Sequence, residues 1–264
     1  MWLISPTGIL DHYSMTNIDD LISASNVHSE WVDLLRQALA EMDKAYLDEL
    51  LCSSDWLPGT DLLFNAFKRD RSQIRYVLIG ESPYPRQASA NGIAFYDAAV
   101  TDLWSDTGLS KSVNRATSMR NIIKTALLAE GYIQPDSDGK ISQPSIAKLD
   151  KSSLVQTMPE LFENLQTAGF LMLNATPVLR PDRKPTQEAK FWHGFLFSLL
   201  KQLGEMADQP LTLVLWGKIA ETIDAMDLPN RYNKLVSEHP YNISFIHNLT
   251  MQSLFRDVSL LTAK

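Results

Sequence analysis

Four short apolar runs punctuate the chain: RYVLIG over 75–80, GFLMLN over 169–174, LTLVLWG over 211–217 and NKLVSE over 233–238. Each is strand length, and the first three are nearly unbroken in apolar residues, the pattern of strands covered on both faces. Between them the period changes. From Trp31 to Leu51 apolar residues fall at 31, 34, 35, 38, 42, 46 and 50, which predicts one helix. SMRNIIKTALLAEG predicts another, with Ser118 as its N-cap and Gly131 as its stop. SLVQTMPELFENLQTAG (153–169) and TQEAKFWHGFLFSLLKQLG (186–204) read as helices too, and a short one is expected from Lys218 to about Met226. Residues 1–28 show no firm period and are expected to form an N-terminal arm.

Strands that alternate with helices imply an α/β fold. The expectation is a three-layer sandwich, with a central, mostly parallel four-stranded sheet flanked by helices, in one domain over 1–264. In such sheets ligands bind beyond the carboxyl ends of the strands. The residues there are Glu81, Ser82 and Tyr84 after the first run, Asn174 and Thr176 at the second, Lys218 after the third and His239 after the fourth. An acid, a phenol, an amide and an imidazole are thus expected in one crevice, as in a small-molecule or base-binding pocket.

Composition narrows the class. The 264 residues are 45% hydrophobic and 21% charged, enough for a full core. No apolar run reaches membrane-spanning length. MWLISPTGILDHYS at the N-terminus lacks the basic lead and long apolar stretch of a secretory signal, so a cytoplasmic, membrane-free protein is expected. A single cysteine, Cys52, excludes an internal disulfide and a multi-cysteine zinc or iron–sulfur site within one chain. No cofactor or metal is expected, and the expected state is a monomer. The net charge of −7 argues against a large nucleic-acid-coating surface. It leaves room for a local basic rim, because charges are screened beyond about 10 Å. Basic residues do cluster at Lys68, Arg69, Arg71 and Arg75, at Lys111, Arg115, Arg120 and Lys124, and at Arg180, Arg183 and Lys184. Taken alone, each cluster reads as a solvated helix or loop face.

The stretch VLIGESPYPRQASANGIAFYDA (77–98) resembles the first motif of family-one uracil-DNA glycosylases, of the form GQDPYH-x-G-x-A-x-GLAF, without a gap from Gly80 to Phe95. LPGTDLLFNAFKRDRSQIRYVLIG is similar to that family's lead-in helix and first core strand. SMRNIIK is similar to its Ser-Leu-x-Asn-Ile/Met-x-Lys segment, GFLMLNATPVLR to its LLLN strand end, LVLWGKIAE to its LLWG strand and EHPYNIS to its HPSPLS loop. These matches stand in order over roughly residues 55–255. The resemblance implies the glycosylase fold and a monofunctional DNA glycosylase, which flips a base out of DNA and hydrolyses its bond to the sugar, leaving an abasic site. It also implies DNA, duplex or single-stranded, as the partner.

Residue by residue, the resemblance gives Phe95 the role of stacking on the base, Asn174 that of reading its edge, and Tyr84 that of packing where a C5 substituent would lie. His239 takes the donor position facing the departing base oxygen, where developing charge is stabilised most. Ser118 falls at a phosphate contact. Tyr241 or Ile243 falls where a wedge fills the gap left by the flipped base. Lys218 is expected among the DNA-contacting residues.

The departures fall on the catalytic positions. The family's Gln-Asp pair reads Glu81-Ser82, so the aspartate that orients water is absent from its place, and a serine hydroxyl is no base at neutral pH. Pro85 replaces a histidine, the proline-rich loop before SMRN reads NRATS, and Tyr241, Asn242 and Ile243 replace Ser, Pro and Leu. Glu81 is one candidate for orienting water or facing the sugar cation; reliance on leaving-group stabilisation and substrate strain is the other. Asp97 is a weaker substitute. Two substrates stay open, uracil and a modified cytosine such as the glucosylated hydroxymethylcytosine of phage DNA, the first a repair role and the second antiviral defence. A catalytically impaired member that binds DNA or a protein is the alternative to an enzyme.

Overall fold

The computed structural model describes residues 17–264. Most of the expected N-terminal arm lies outside the described residues. Its last part is a helix, α1 (Ile18–Ala24), capped by Asn17, with Leu21 and Ile22 in the core.

The expected helix over 31–51 is two. α2 (Val32–Ala40) ends at Glu41, and α3 (Lys44–Leu51) starts anew at Asp43, whose carboxylate accepts from the Tyr46 amide. Met42 stays buried through the break, so the apolar period runs on while the backbone turns. β1 (Tyr76–Gly80) follows. Next come a small hairpin of β2 (Trp104–Ser105) and β3 (Gly108–Leu109), then α4 (Lys111–Arg115) and α5 (Thr117–Ala129). Ser118 is not the N-cap of α5. The helix begins at Thr117 without a side-chain cap, because α4 runs into it through Ala116 alone. Gly131 does end it, at φ +78°.

After α6 (Gln143–Ala147), α7 (Met158–Thr167) is shorter than the 153–169 expected. Thr157 and Glu160 form a capping box at its start, and Leu154 upstream bridges to Thr262 instead of joining the helix. β4 (Phe170–Asn174), α8 (Pro185–Met206), β5 (Leu211–Trp216), α9 (Ile219–Asp224) and β6 (Tyr232–Ser237) follow the sequence reading closely, and the chain closes with a helix not expected from it, α10 (Leu249–Val258).

The four long strands form one parallel sheet in the order β4-β1-β5-β6. Side chains of alternate residues feed two cores. Leu78, Met172 and Val214 face α5, α7 and α10, while Ile79, Leu173 and Leu213 face α2, α3 and α8. That is the three-layer sandwich. Its sequence order reverses at β1, which has β4 on one side and β5 on the other, so the crevice beyond their carboxyl ends is the switch point where such sheets bind ligands. Among the described residues no helix is long and apolar enough to cross a membrane.

Candidate active site

A cleft of about 750 Å³ opens at that crevice. Gly80, Glu81, Phe95, Trp216, Gly217, Lys218, His239 and Tyr241 all line it. Three strand ends, those of β1, β5 and β6, therefore deliver Glu81, Lys218 and His239 to one place, because β5 carries Gly217 out beside the loop after β6. The register sets Asn174 beside Gly80, but Asn174 lines a separate small cavity with Gly92 and Pro177, and Tyr84 lines a neighbouring cleft.

Backbone geometry fixes the walls. A Cβ on Gly80 would lie 3.1 Å from Asn174 Oδ1 and 3.4 Å from the Phe95 ring, so the glycine lets an amide and an aromatic face meet over the strand end. The Asn174 amide is buried and has no hydrogen-bond partner among the described residues. Phe95 sits at φ +64°, a left-handed conformation that costs a non-glycine residue about 1–3 kcal/mol and concentrates at functional sites. The Ala94 amide donating to Met172 O at 3.3 Å and the Tyr84 hydroxyl donating to Phe95 O at 3.4 Å bracket that residue. Its ring meets Trp216 edge-on at 4.8 Å and His239 at 5.9 Å.

His239 is the best-defined polar group of the cleft. Its Nδ1 accepts from the Tyr241 amide at 3.0 Å, so the neutral ring carries its proton on Nε2. Burial lowers its pKa below the usual histidine value, outweighing the negative charge of Glu81, which pulls the other way. The ring is thus held neutral near pH 7, with Nε2–H as a donor. Pro240 O, next in the chain, accepts from Asn121 Nδ2 at 2.7 Å, which ties the histidine loop to the middle of α5.

Other expected residues divide. Glu81 is exposed at the cleft mouth; Ser82 is half-buried beside it, and its hydroxyl has no partner among the described residues. Asp97 is turned away from the cleft. It pairs with Arg86 at 3.1 Å and accepts from the Ala99 amide at 3.0 Å, so it is already engaged. Tyr84 is half-buried, and burial together with the charge of Asp97 pushes its phenol up to about 12, so it stays a neutral donor. Tyr241 and Ile243 are 68% and 71% exposed, rare for large apolar groups in this chain, on the loop that follows His239. Ser118 lines a second cleft that shares Tyr241 with the first. Missed entirely was Trp216, which backs both Phe95 and Phe245, and whose Nε1 donates to Met251 Sδ. Among the described residues no cluster of His, Cys, Asp or Glu is arranged to hold a metal.

Comparison with known proteins matches the fold. The wild-type UNG crystal structure from Nitratifractor salsuginis superposes with a TM-score of 0.87, is 34% identical, and covers 98% of this chain and 100% of its own. The chain belongs to the uracil-DNA glycosylase superfamily. It is a DNA glycosylase. The uracil-DNA glycosylase of Mycobacterium sp. (strain KMS) is 25% identical over 222 residues, 83% of this chain and 82% of that protein. The mimivirus uracil-DNA glycosylase, at 18% identity over 88% of this chain and 78% of its own, shares the fold with a TM-score of 0.54. No family model matches the chain. The superfamily's sheet is kept, with the polar groups of the cleft at its strand ends, while the first motif reads Glu-Ser.

Proposed function

We propose that the cleft receives a uracil flipped out of DNA and that His239 drives its departure. The base lies on the Phe95 ring, an interaction worth about 1–3 kcal/mol for a base on an aromatic. The Asn174 amide, having no partner of its own, pairs with the base edge through one donor and one acceptor. Tyr84 stands where a C5 substituent would project. As the bond from sugar to base nitrogen breaks, positive charge grows on the sugar and negative charge on the base oxygens. His239 Nε2–H donates to one of those oxygens, and the interaction strengthens as the charge develops. Water then adds to the sugar carbon, and its proton passes to solvent, balancing the charge of the departed base anion. Glu81 faces the sugar side as the counter-charge and water-orienting group, a role Ser82 cannot fill, and Ser82 is left to hydrogen-bond. Tyr241 and Ile243 fill the vacated stack, while Ser118 and Lys218 approach the backbone.

The observation that carries this reading is the neutral, Nε2-protonated His239 facing the same cleft as Phe95 and Glu81. Release of free uracil from a uracil-containing duplex, followed by cleavage at the abasic site, tests it. Activity that persists in a His239→Ala, Asn174→Ala double variant would sink it. Modified-cytosine phage DNA is the necessary comparison substrate, motivated by Ser82 and Pro85. Uracil is favoured because a glucosylated C5 group would have to displace Tyr84 from its contact with Phe95 O.

A further inference from the structure

Beside the base cleft lies a second one of about 690 Å³, lined by Tyr84, Arg86, Lys111, Ser112, Arg115 and Ser118, with Tyr241 shared between the two. Its charge is opposite to that of the whole chain. Three cations face one carboxylate, Asp97, and that carboxylate is buried and already paired with Arg86. Several of the other clustered cations are engaged internally. Arg180 and Arg183 pair with Glu49, Arg69 pairs with Glu163, and Lys124 donates to Ile141 O. Lys111 and Arg115 are exposed and have no hydrogen-bond or ion-pair partner among the described residues.

Their backbone, by contrast, is braced. Ser110 caps α4, and Val113 is fully buried. Gln143 accepts from the Leu109 amide at 2.7 Å and donates to Asn114 Oδ1 at 2.8 Å, while Asn114 Nδ2 donates to Leu109 O at 3.0 Å. Arg120 adds a bond to Asn114 O at 2.9 Å. Gly108, at φ +127°, is needed for this fit, since a Cβ there would stand 2.4 Å from Gln143 Oε1. A five-residue helix is thus held rigidly to display two cations that do nothing for the fold.

We propose that α4 is a phosphate clamp. Lys111 and Arg115, with Arg86 facing them and Ser112 beside them, hold the DNA backbone that leads away from the flipped nucleotide past Tyr241. The ligand chemistry is the phosphodiester, and the proposal rests on the reading that the neighbouring cleft takes a base from DNA. Preorganised cations spend little ordering entropy on binding, and each neutralised phosphate adds about 0.9 to the slope of log affinity against log salt on duplex DNA.

The test is duplex binding, measured by fluorescence anisotropy from low to moderate salt, for wild type and Lys111→Ala/Arg115→Ala. The expected result is a slope about 1.8 shallower in the double variant, with weaker binding at low salt. Both side chains are exposed, so Tm should match wild type; Lys111→Gln/Arg115→Gln, which keeps the stems, should give the same slope change. An unchanged slope overturns the proposal. So does a slope change that appears only for inorganic phosphate as competitor, which would mark a small-anion site. Failure of wild type to release any base would instead count against the base-cleft reading, since the slopes are measured without catalysis.

Discussion

Gly217→Ala offers a sharp separation of stability from catalysis. Gly217 sits at φ +72°, and a Cβ there would lie 2.9 Å from His239 Cβ and 3.5 Å from His239 Cα and N. The left-handed conformation alone costs an alanine roughly 1–2 kcal/mol. Carbon atoms pack best at about 3.5–4.0 Å, so His239 must retreat by on the order of 0.5 Å or more. With a Tm shift of roughly 2–4 °C per kcal/mol in a chain of this size, the backbone term lowers Tm by roughly 2–8 °C. Catalysis should suffer more, because a misplacement of about 1 Å can cost 10²-fold. A single-turnover rate of uracil release at least tenfold slower, at about 25 °C and with little change in DNA affinity, is expected from that geometry.

The matching control is Gly131→Ala. Gly131 has nearly the same φ, +78°, with nothing within 4 Å of the added methyl, and it lies at the far end of α5. It should lose comparable stability and no activity. If Gly217→Ala releases uracil as fast as Gly131→Ala, the position of His239 does not set the rate, and the assignment of the leaving-group donor is wrong.

Other consequences are open to measurement. Because burial lowers the His239 pKa, the rate should be flat above that pKa and fall as the ring protonates on the acid side; Glu81→Gln removes the charge that raises it, so the acid limb should move to lower pH. Asn174→Ala should reduce kcat/KM by about 10² or more with Tm nearly unchanged, since the amide has no internal partner to lose; a large drop in Tm would mark it as structural. Tyr84→Ala should admit thymine, read as free base released from a T-containing mismatch. Glu188 is fully buried against the Tyr46 hydroxyl and Arg183, so Glu188→Ala should cost about 3–5 kcal/mol in urea unfolding while leaving the low-temperature rate intact.

What the sequence made legible was whatever a long, uniform pattern could carry. All four sheet strands were read to within one residue at each end; burial on both faces leaves the apolar runs of β1, β4 and β5 nearly unbroken, while the edge strand β6 is partly exposed. The helix over 31–51 was misread for the same reason: buried Met42 keeps the apolar period through a turn that only Asp43 marks. Between Asp97 and Ala116 nothing was readable, since strands of two residues and a helix of five are shorter than any period. That blind segment also cost the N-cap assignment at Ser118. The Arg180 and Arg183 cluster looked like solvated surface because its partner Glu49 lies more than a hundred residues away in the chain. Left-handed Phe95 and the tautomer of His239 leave no trace in composition at all.

The division between kept and altered residues follows the backbone. Phe95, Asn174 and His239 are each held where a glycine or an unusual φ makes room: Gly80 under the first two, the strained turn at Phe95 itself, Gly217 under the third. A Cβ on either glycine would displace one of these side chains, so the groups proposed to bind and expel the base are fixed by the backbone beneath them. Glu81 and Ser82 are different. Past the carbonyl of Glu81, which accepts from the Thr176 amide at 2.9 Å, their side chains have no partner among the described residues, and their replacement strains nothing. In the proposed mechanism the side of the cleft assigned to water and the sugar cation is therefore free to change while the His239 side stays in place. In the proposed mechanism, with a bare hydroxyl at Ser82, the His239 donor carries the reaction and Glu81 supplies charge from the cleft mouth. On this argument His239→Ala should cost more rate than Glu81→Gln. The reverse order, measured on the same uracil duplex, would move the principal catalytic burden to the water side.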